Sequence, residues 1–487
     1  MKNITVKDII NITNATLLNK IDDKEKSKLL SEEVTDIVTD SREVKPNTLF
    51  VAIVGENVDA HKFIPDVAKI TDIMLIEKGE NEILALSDKS SLPDNKAYIL
   101  VNSTVDALQL IGGYIRSIYE KKVIGVTGSV GKTTTREMIT HALRSSLNVF
   151  STSGNMNSQI GVPLTLSHMN DTDSDIAVLE MGISEPGGMD KLTKMVMPDI
   201  AVCTMIGVAH IEFMKTREGI MHEKLRIASR MNDNGVLFIN SDDSLLSKIS
   251  SSNDISFITD GNAAPNCKIM KYGTGSDADY RATDIRYMDG YNTYTYVHED
   301  KKVTVNLTQS GMHNVLNSLV AMAICDYLGL DTDKAAAALE NFEGLRQKEI
   351  MTDKGYTVID DTYNASPDSM KALISVLRDK PAHGRRIAVL GDMFELGPNS
   401  DEYHREVGRF IKKCYSENND SINELITVGI SSKLIAEEIK DTDILINSFE
   451  KNMDASEYIK SIIKPADIIV LKASNGMKFS EIVKEIV

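Results

Sequence analysis

No stretch of this 487-residue sequence approaches the about 18 consecutive apolar residues of a membrane span. The opening run, MKNITVKDIINITNATLL, is broken by charge and asparagine and holds no apolar segment of signal-peptide length. Cysteine is scarce. Cys203, Cys267, Cys325 and Cys414 lie far apart and form no CxxC pair, which argues against disulfide and zinc frameworks and for ordinary reduced thiols. Basic charge is in deficit, with 54 Lys and Arg against 71 Asp and Glu, a net −17. A nucleic-acid binder working by phosphate neutralisation is therefore disfavoured, and solubility is the plain reading of the charge. Internal repeats and long low-complexity tracts are also missing. A soluble cytoplasmic protein is the expectation.

An apolar share of 42% is enough for several cores, and at roughly 150 residues per domain the length suggests about three. The segment 79–96, GENEILALSDKSSLPDNK, is polar and reads as turn-rich, placing a boundary before the strand and cap of AYILVNST. From Lys121 onward apolar runs (KVIGVTG, DIAVLEMG, PDIAVCTMIG, NGVLFINSDD) alternate with helical stretches, the pattern of parallel strands with crossover helices. Residues 284–307 alternate polar and apolar and carry turn signals, which predicts an antiparallel hairpin or meander at the edge of that sheet. After Phe342–Arg346 a second strand series (YTVIDD, RRIAVLGD, ELITVGI, DILINS, ADIIVLK) alternates with helices. The expected fold class is α/β with three domains. These are a small α/β substrate domain at 1–101, a central ATPase-type parallel sheet at 102–342, and a C-terminal Rossmann-like domain at 343–487.

The densest chemistry is TGSVGKTT, Thr127–Thr134, between a buried-type strand and a helix. A Gly-rich turn there lets backbone N–H groups of Gly128, Ser129, Val130, Gly131 and Thr134 converge on phosphate oxygens, and the helix adds its N-terminal dipole. Lys132 would reach the β- and γ-phosphates, and Thr133 would place a hydroxyl on Mg2+. Only two residues separate Gly128 and Gly131, so this is a variant of the common loop. A guanine-reading N-K-x-D is absent; NSDD at 240–243 lacks its lysine and reads as a polar turn. Glu180, closing IAVLE, is placed like a Mg2+ ligand or an exposed strand-end carboxylate. His210, after another apolar strand, and Lys224, on a helix, read locally as ordinary surface residues.

Taken in order, TGSVGKTTT, TSGNMNSQIGVPLT, LEMGISEPGGM, GVAHIEF, EKLRIA, SGMHNVLNSLVA, GLRQ, DDTYNASPDSM, LGDMFELG and KASNGM run over most of the chain. This set resembles the ATP-dependent Mur ligases of peptidoglycan synthesis. Within them it is most similar to the branch that adds D-alanyl-D-alanine to UDP-N-acetylmuramoyl-tripeptide. The resemblance implies ATP and Mg2+ as cofactors and those two molecules as substrates; a monomer with no nucleic-acid partner is the expectation. It implies that Lys132 and Thr133 hold phosphate and Mg2+, with Glu180 a ligand of the same ion and His210 of a second. Lys224 matches the lysine this family carbamylates, which turns a cation into an anion able to bind metal. Asn314 and Asn317 match adenine-side contacts, and Arg346 and Asp361 match C-terminal groups at ATP. Asp40, Ser41 and Arg42 match the site for the UDP end. Thr152, Asn155, Asn364, Lys472 and Asn475 match substrate-lining positions. In KASNGM, Ala473 and Asn475 stand where the family usually has Gly and Arg. The resemblance implies that this loop faces the incoming dipeptide, so the changes bear on which dipeptide is taken.

The implied chemistry is amide formation through an acyl phosphate, which needs no protein nucleophile and fits the lack of a Ser–His or Cys–His constellation. Two alternatives remain at this point. One is another ligase of the superfamily, a Mur sister or a folylpolyglutamate-synthetase-like enzyme. The other is a nucleotide-dependent switch that ligates nothing.

Overall fold

The computed structural model describes residues 4–18, 23–87, 89–231, 234–259, 267–288, 291–344 and 346–487. The Asp289–Gly290 turn signal and Leu345 of GLRQ fall outside them. The chain divides into two compact units. One comprises Met1–Gly125, Leu147–Gly182 and Gly188–Asp199; the other comprises Val126–Ser146, Ile183–Gly187 and Ile200–Val487.

In the first unit a five-stranded sheet runs Thr16–Leu18, Ala97–Leu100, Ile73–Ile76, Thr48–Val51, Asp36–Val38. Its last four strands are parallel and Thr16–Leu18 is antiparallel at the edge. Phe50, Ile64, Met74, Ile76 and Ile83 form one core beneath it. Helix ends are fixed by short polar side chains: Thr5 and Asp8 form a capping box on Val6–Thr13, and Ser103 accepts the Asp106 N–H to start Thr104–Ser117. His61 is fully buried but satisfied, with Nδ1 on Asp59 at 2.7 Å and Nε2 accepting the Glu77 N–H at 3.0 Å. The segment read as turn-rich contains a helix, Glu80–Ser87. Glu80 and Glu82 suit its positive N-terminal end, and Ile83 buries its inner face. The same unit holds a parallel pair, Val149–Ser151 and Ile176–Glu180.

In the second unit six neighbouring strands run Lys301–Leu307, Tyr291–His298, Tyr280–Met288, Lys268–Gly273, Val236–Asn240, Ile200–Cys203. The three written last are parallel, with Val236 opposite both Ile200 and Lys268. The first three form the expected antiparallel meander, with Tyr294 opposite Val305. Strand Lys268–Gly273 is an addition: its lysines and flanking polar residues mask a short, partly buried strand. A six-stranded C-terminal sheet runs Lys348–Met351, Thr357–Asp360, Ile468–Lys472, Arg386–Gly391, Glu424–Val428, Leu445–Phe449. Only Lys348–Met351 is antiparallel. The final strand thus enters the middle, bringing Asp361, Lys472 and Asp392 to the carboxyl ends of adjacent strands, where open α/β sheets form their crevices. Among the described residues no helix is long and apolar enough to cross a membrane.

Candidate functional site

Strand Lys122–Thr127 is buried after its first residue and delivers the chain to Gly128. Gly128 has φ 147°, and a Cβ there would stand 1.9 Å from Thr204 Oγ1, so only glycine passes. Thr204 is held there because it anchors the loop. Its Oγ1 donates to Val130 O at 2.6 Å and its N–H to Thr127 O at 3.0 Å. Ser129 N–H donates to Met205 O at 2.8 Å. Gly131, at φ 88°, turns the chain into helix Lys132–Leu143. Lys132 Nζ bends over the loop to Gly128 O at 2.9 Å, and Thr133 is buried at the helix start. Behind the loop Thr135 Oγ1 donates to Asn317 Oδ1 at 3.0 Å, Asn317 Nδ2 to Asn314 Oδ1 at 3.3 Å, and Asn314 Nδ2 to Ser310 O at 2.8 Å. The two asparagines therefore brace the loop through a buried chain of amides. Their neighbour His313 meets Gln347 Nε2 at 3.2 Å; burial holds its pKa below the usual value, and the Asp361 carboxylate acts against that.

Lys224 lies on helix Arg217–Leu225, which Thr216 caps by accepting the Gly219 N–H at 2.9 Å. It is not the solvated lysine its local pattern suggests: it is 1% exposed. Burial first, and the charge of Lys132 second, push its pKa down to about 7. A substantial neutral fraction at physiological pH makes this amine a nucleophile. Cys203 nearby is pushed up to about 12, chiefly by burial, and is an inert thiol.

His210 is not at a strand end, because the strand closes at Cys203. It sits seven residues on, at φ 63°, and starts the short helix Ile211–Met214. Its Nδ1 contacts the Glu395 carboxylate, and that hydrogen bond is the main reason Glu395 titrates below the usual range.

In the first unit Glu180 is a buried strand-end carboxylate, 1% exposed. Its Oε1 accepts from Asn157 Nδ2 at 2.6 Å, and its N–H donates to Thr152 Oγ1 at 3.0 Å. Gly182 is needed beside it, since a Cβ would lie 2.9 Å from Asn157 Cγ. Thr152 is buried and Asn155 exposed. Asp40 accepts from Arg42 Nε at 2.9 Å and falls to about 2 chiefly through that bond, while the Arg42 side chain is 87% exposed. Ser41 lies between them, half-buried.

At the C-terminal strand ends Lys472 Nζ donates to Asp361 Oδ2 at 2.6 Å in a buried ion pair. The Arg346 guanidinium lies 3.4 Å from the centroid of the Tyr363 ring. Asn364 is exposed and its Oδ1 accepts the Ala365 N–H. Asn475 is exposed on the turn Asn475–Met477.

Among the described residues no group of three or more His, Cys, Asp or Glu side chains is gathered to hold a metal unaided. A cation would take most of its ligands from nucleotide phosphates and water, as Mg2+ does. In the second unit the buried Thr133 hydroxyl, and in the first the buried Glu180 carboxylate, are each a hard oxygen donor of the kind that ion uses.

Residues 126–325 match the family described as Mur ligase middle domain, and residues 346–475 match Mur ligase, glutamate ligase domain. The UDP-N-acetylmuramoyl-tripeptide--D-alanyl-D-alanine ligase of Bacillus subtilis is 34% identical over 436 residues, covering 89% of this chain and 87% of that protein. The chain belongs to the Mur ligase family. A crystal structure of MurF from Acinetobacter baumannii superposes with a TM-score of 0.83 at 26% identity, covering 99% of this chain and 98% of that one. MurF from Thermotoga maritima in complex with ADP gives 0.76 at 27% identity, over 93% and 97% of the two chains.

For this Mur ligase, what sequence reasoning passed over are the side chains that hold the named ones. Asn157 orients Glu180, Thr204 anchors the loop, and Glu395 meets His210. Each lay in or beside a motif (NMNSQIG, CTMIG, LGDMFELG), but its partner is distant in sequence, and spacing carries no sign of such pairs.

Proposed function

We propose that this Mur ligase joins D-alanyl-D-alanine to UDP-N-acetylmuramoyl-tripeptide with ATP, in peptidoglycan precursor synthesis. The observation that carries the reading is the identity with the Bacillus subtilis ligase over 89% of this chain and 87% of that protein. The loop geometry around Lys132 agrees with it.

A carboxylate oxygen of the tripeptide attacks the γ-phosphorus of ATP, giving an acyl phosphate and ADP. The amine of the dipeptide then attacks the acyl carbon, the C–N bond forms, and phosphate leaves with the C–O bond electrons. Lys132 and the loop N–H groups between Gly128 and Thr134, apart from that of Ser129, which Met205 O already takes, hold the phosphates and stabilise charge on the transferring group. Bound Mg2+ supplies further charge neutralisation there. Thr133 and Glu180 are the residues for one ion, and His210 and carbamylated Lys224 for a second. Asn314, Asn317, Arg346 and Asp361 serve the nucleotide. Asp40, Ser41 and Arg42 serve the UDP end; Thr152, Asn155, Asn364, Lys472 and Asn475 line the route of the acyl substrate and dipeptide. The functional division follows the limits 1–101, 102–342 and 343–487. Action in the cytoplasm is proposed, supported by four free, buried cysteines, and with it a monomer.

Burial and a pKa of about 7 favour the carbamate at Lys224, because CO2 adds only to a neutral amine. The reading is tested by ADP release in the presence of each substrate alone and of both. Release only with tripeptide and dipeptide together supports ligation; equal turnover with neither points to a switch protein. 13C-bicarbonate labelling of Lys224, absent in Lys224→Met, tests the carbamate.

A further inference from the structure

The loop between strand Ile200–Cys203 and His210 is held at several points by residues far along the chain. Glu395 reaches His210 Nδ1 with its carboxylate, and its carbonyl accepts the Glu212 N–H at 3.2 Å. A Cβ at Gly397 would lie 3.2 Å from Glu212 Cα, so the backbones run close together. Asp368, in the first turn of helix Pro367–Asp379, accepts the Val208 N–H and sits so near Gly207 that a Cβ there would stand 2.3 Å from its Oδ2. His210 and Glu395 both hold left-handed backbone conformations, φ 63° and 61°. Such conformations persist where the surroundings over-determine them.

An ionised carboxylate only accepts hydrogen bonds, so a neutral His210 facing Glu395 carries its proton on Nδ1 and keeps the lone pair on Nε2. We propose that Glu395 is a positioning residue: it locks the His210 ring and its Nδ1–H tautomer, presenting Nε2 to a metal ion. The proposal rests on the reading of His210 as a Mg2+ ligand. A carboxylate behind a ligating imidazole fixes its orientation and raises its basicity.

The test uses the full chain with 15N-labelled histidine at pH 8, with the His210 signals assigned by their loss in His210→Asn. Wild type should show Nδ1–H. Glu395→Ala should move the proton mainly to Nε2, and Glu395→Gln, whose amide oxygen still accepts, should keep it on Nδ1. Glu395 is exposed, so neither change threatens the fold. Mn2+ binding to the complex with a non-hydrolysable ATP analogue, followed by electron paramagnetic resonance, should weaken about tenfold in Glu395→Ala and less in Glu395→Gln. An unchanged tautomer in Glu395→Ala overturns the proposal at Glu395. A shifted tautomer with unchanged Mn2+ affinity overturns it at His210, by showing that this imidazole is no ligand.

Discussion

Lys224, near the nucleotide loop, and Lys472, at the end of a C-terminal strand, are 1% and 3% exposed. Lys472 meets Asp361 at 2.6 Å and accounts for its own charge. Lys224 has burial and the charge of Lys132 acting against its protonated form, and Glu223 only partly offsets them. The nucleotide region is built around positive charge and a lysine close to neutral. That is the environment in which a polyanion, or an anion made from the lysine itself, is welcome. In the C-terminal region, the proposed acceptor region, the Lys472 charge is matched by Asp361, and Asp392 beside them is a further buried carboxylate held by the Ile430 and Ser432 N–H groups.

Breaking the C-terminal pair gives the largest expected effect. Lys472→Met leaves the Asp361 carboxylate buried without its partner and should cost about 3–5 kcal/mol of stability. Adding Asp361→Asn should recover most of that loss. Thermal midpoints of the two variants decide it: a silent single variant would mean that the pair is screened by water. Next comes Lys132→Ala, which removes charge stabilisation felt most strongly as the phosphoryl group transfers. The expected fall in kcat is about a hundredfold or more, about 3 kcal/mol. Its thermal midpoint should stay put, because Lys132 caps the loop from the accessible side and is only half-buried.

Both regions were named from sequence, but to different depths. The strand–loop–helix around Gly128 was legible because every part is local: an apolar run, two glycines, a lysine and a helical period. The meander read at 284–307 was legible for the same reason, by alternation, although its first strand begins earlier, at Tyr280. Burial of Lys224 was not, since helix Arg217–Leu225 is mostly polar and its inner face is set by what packs there. His210 was misplaced because GVAHIEF continues an apolar pattern past Cys203, where the strand has already ended. Helix Glu80–Ser87 was hidden by a polar composition that suits a surface helix as well as a loop. Asp361 and Lys472 were each singled out from motifs 111 positions apart, and only the strand order shows that they are partners.

A smaller effect sharpens the contrast from the side of Lys224. Its folded pKa is about 7 and its ordinary value 10.5. Between these the unfolded chain binds a proton that the folded chain does not, so stability rises with pH. From pH 7 to 9 the gain from this one group should be about 2 kcal/mol in CO2-free buffer. Below pH 7 its destabilising influence is fully present. Lys224→Met should flatten that part of the profile, read by chemical denaturation of both proteins at each pH. Equal slopes would place Lys224 in contact with water.

The smallest effect concerns the exposed rim of the acceptor region. Lys472 is the only cation within Lys472–Met477, and its ammonium is engaged with Asp361. On the proposed reading Asn475 would offer a dipeptide carboxylate an amide where an arginine would offer charge and a two-pronged bond. Because the position is exposed, water screens the added attraction, and about 1 kcal/mol is the most it can contribute. Asn475→Arg should lower KM for D-alanyl-D-alanine up to about fivefold. It should leave kcat nearly unchanged, since a contact with the far end of the dipeptide holds ground state and transition state alike. The companion measurement is a dipeptide with its carboxylate amidated. Arginine should give no advantage with that substrate if the contact is to the carboxylate. An equal gain with both substrates would locate the arginine on the backbone of the dipeptide, and no gain with either would mean that the carboxylate is read elsewhere than at residue 475.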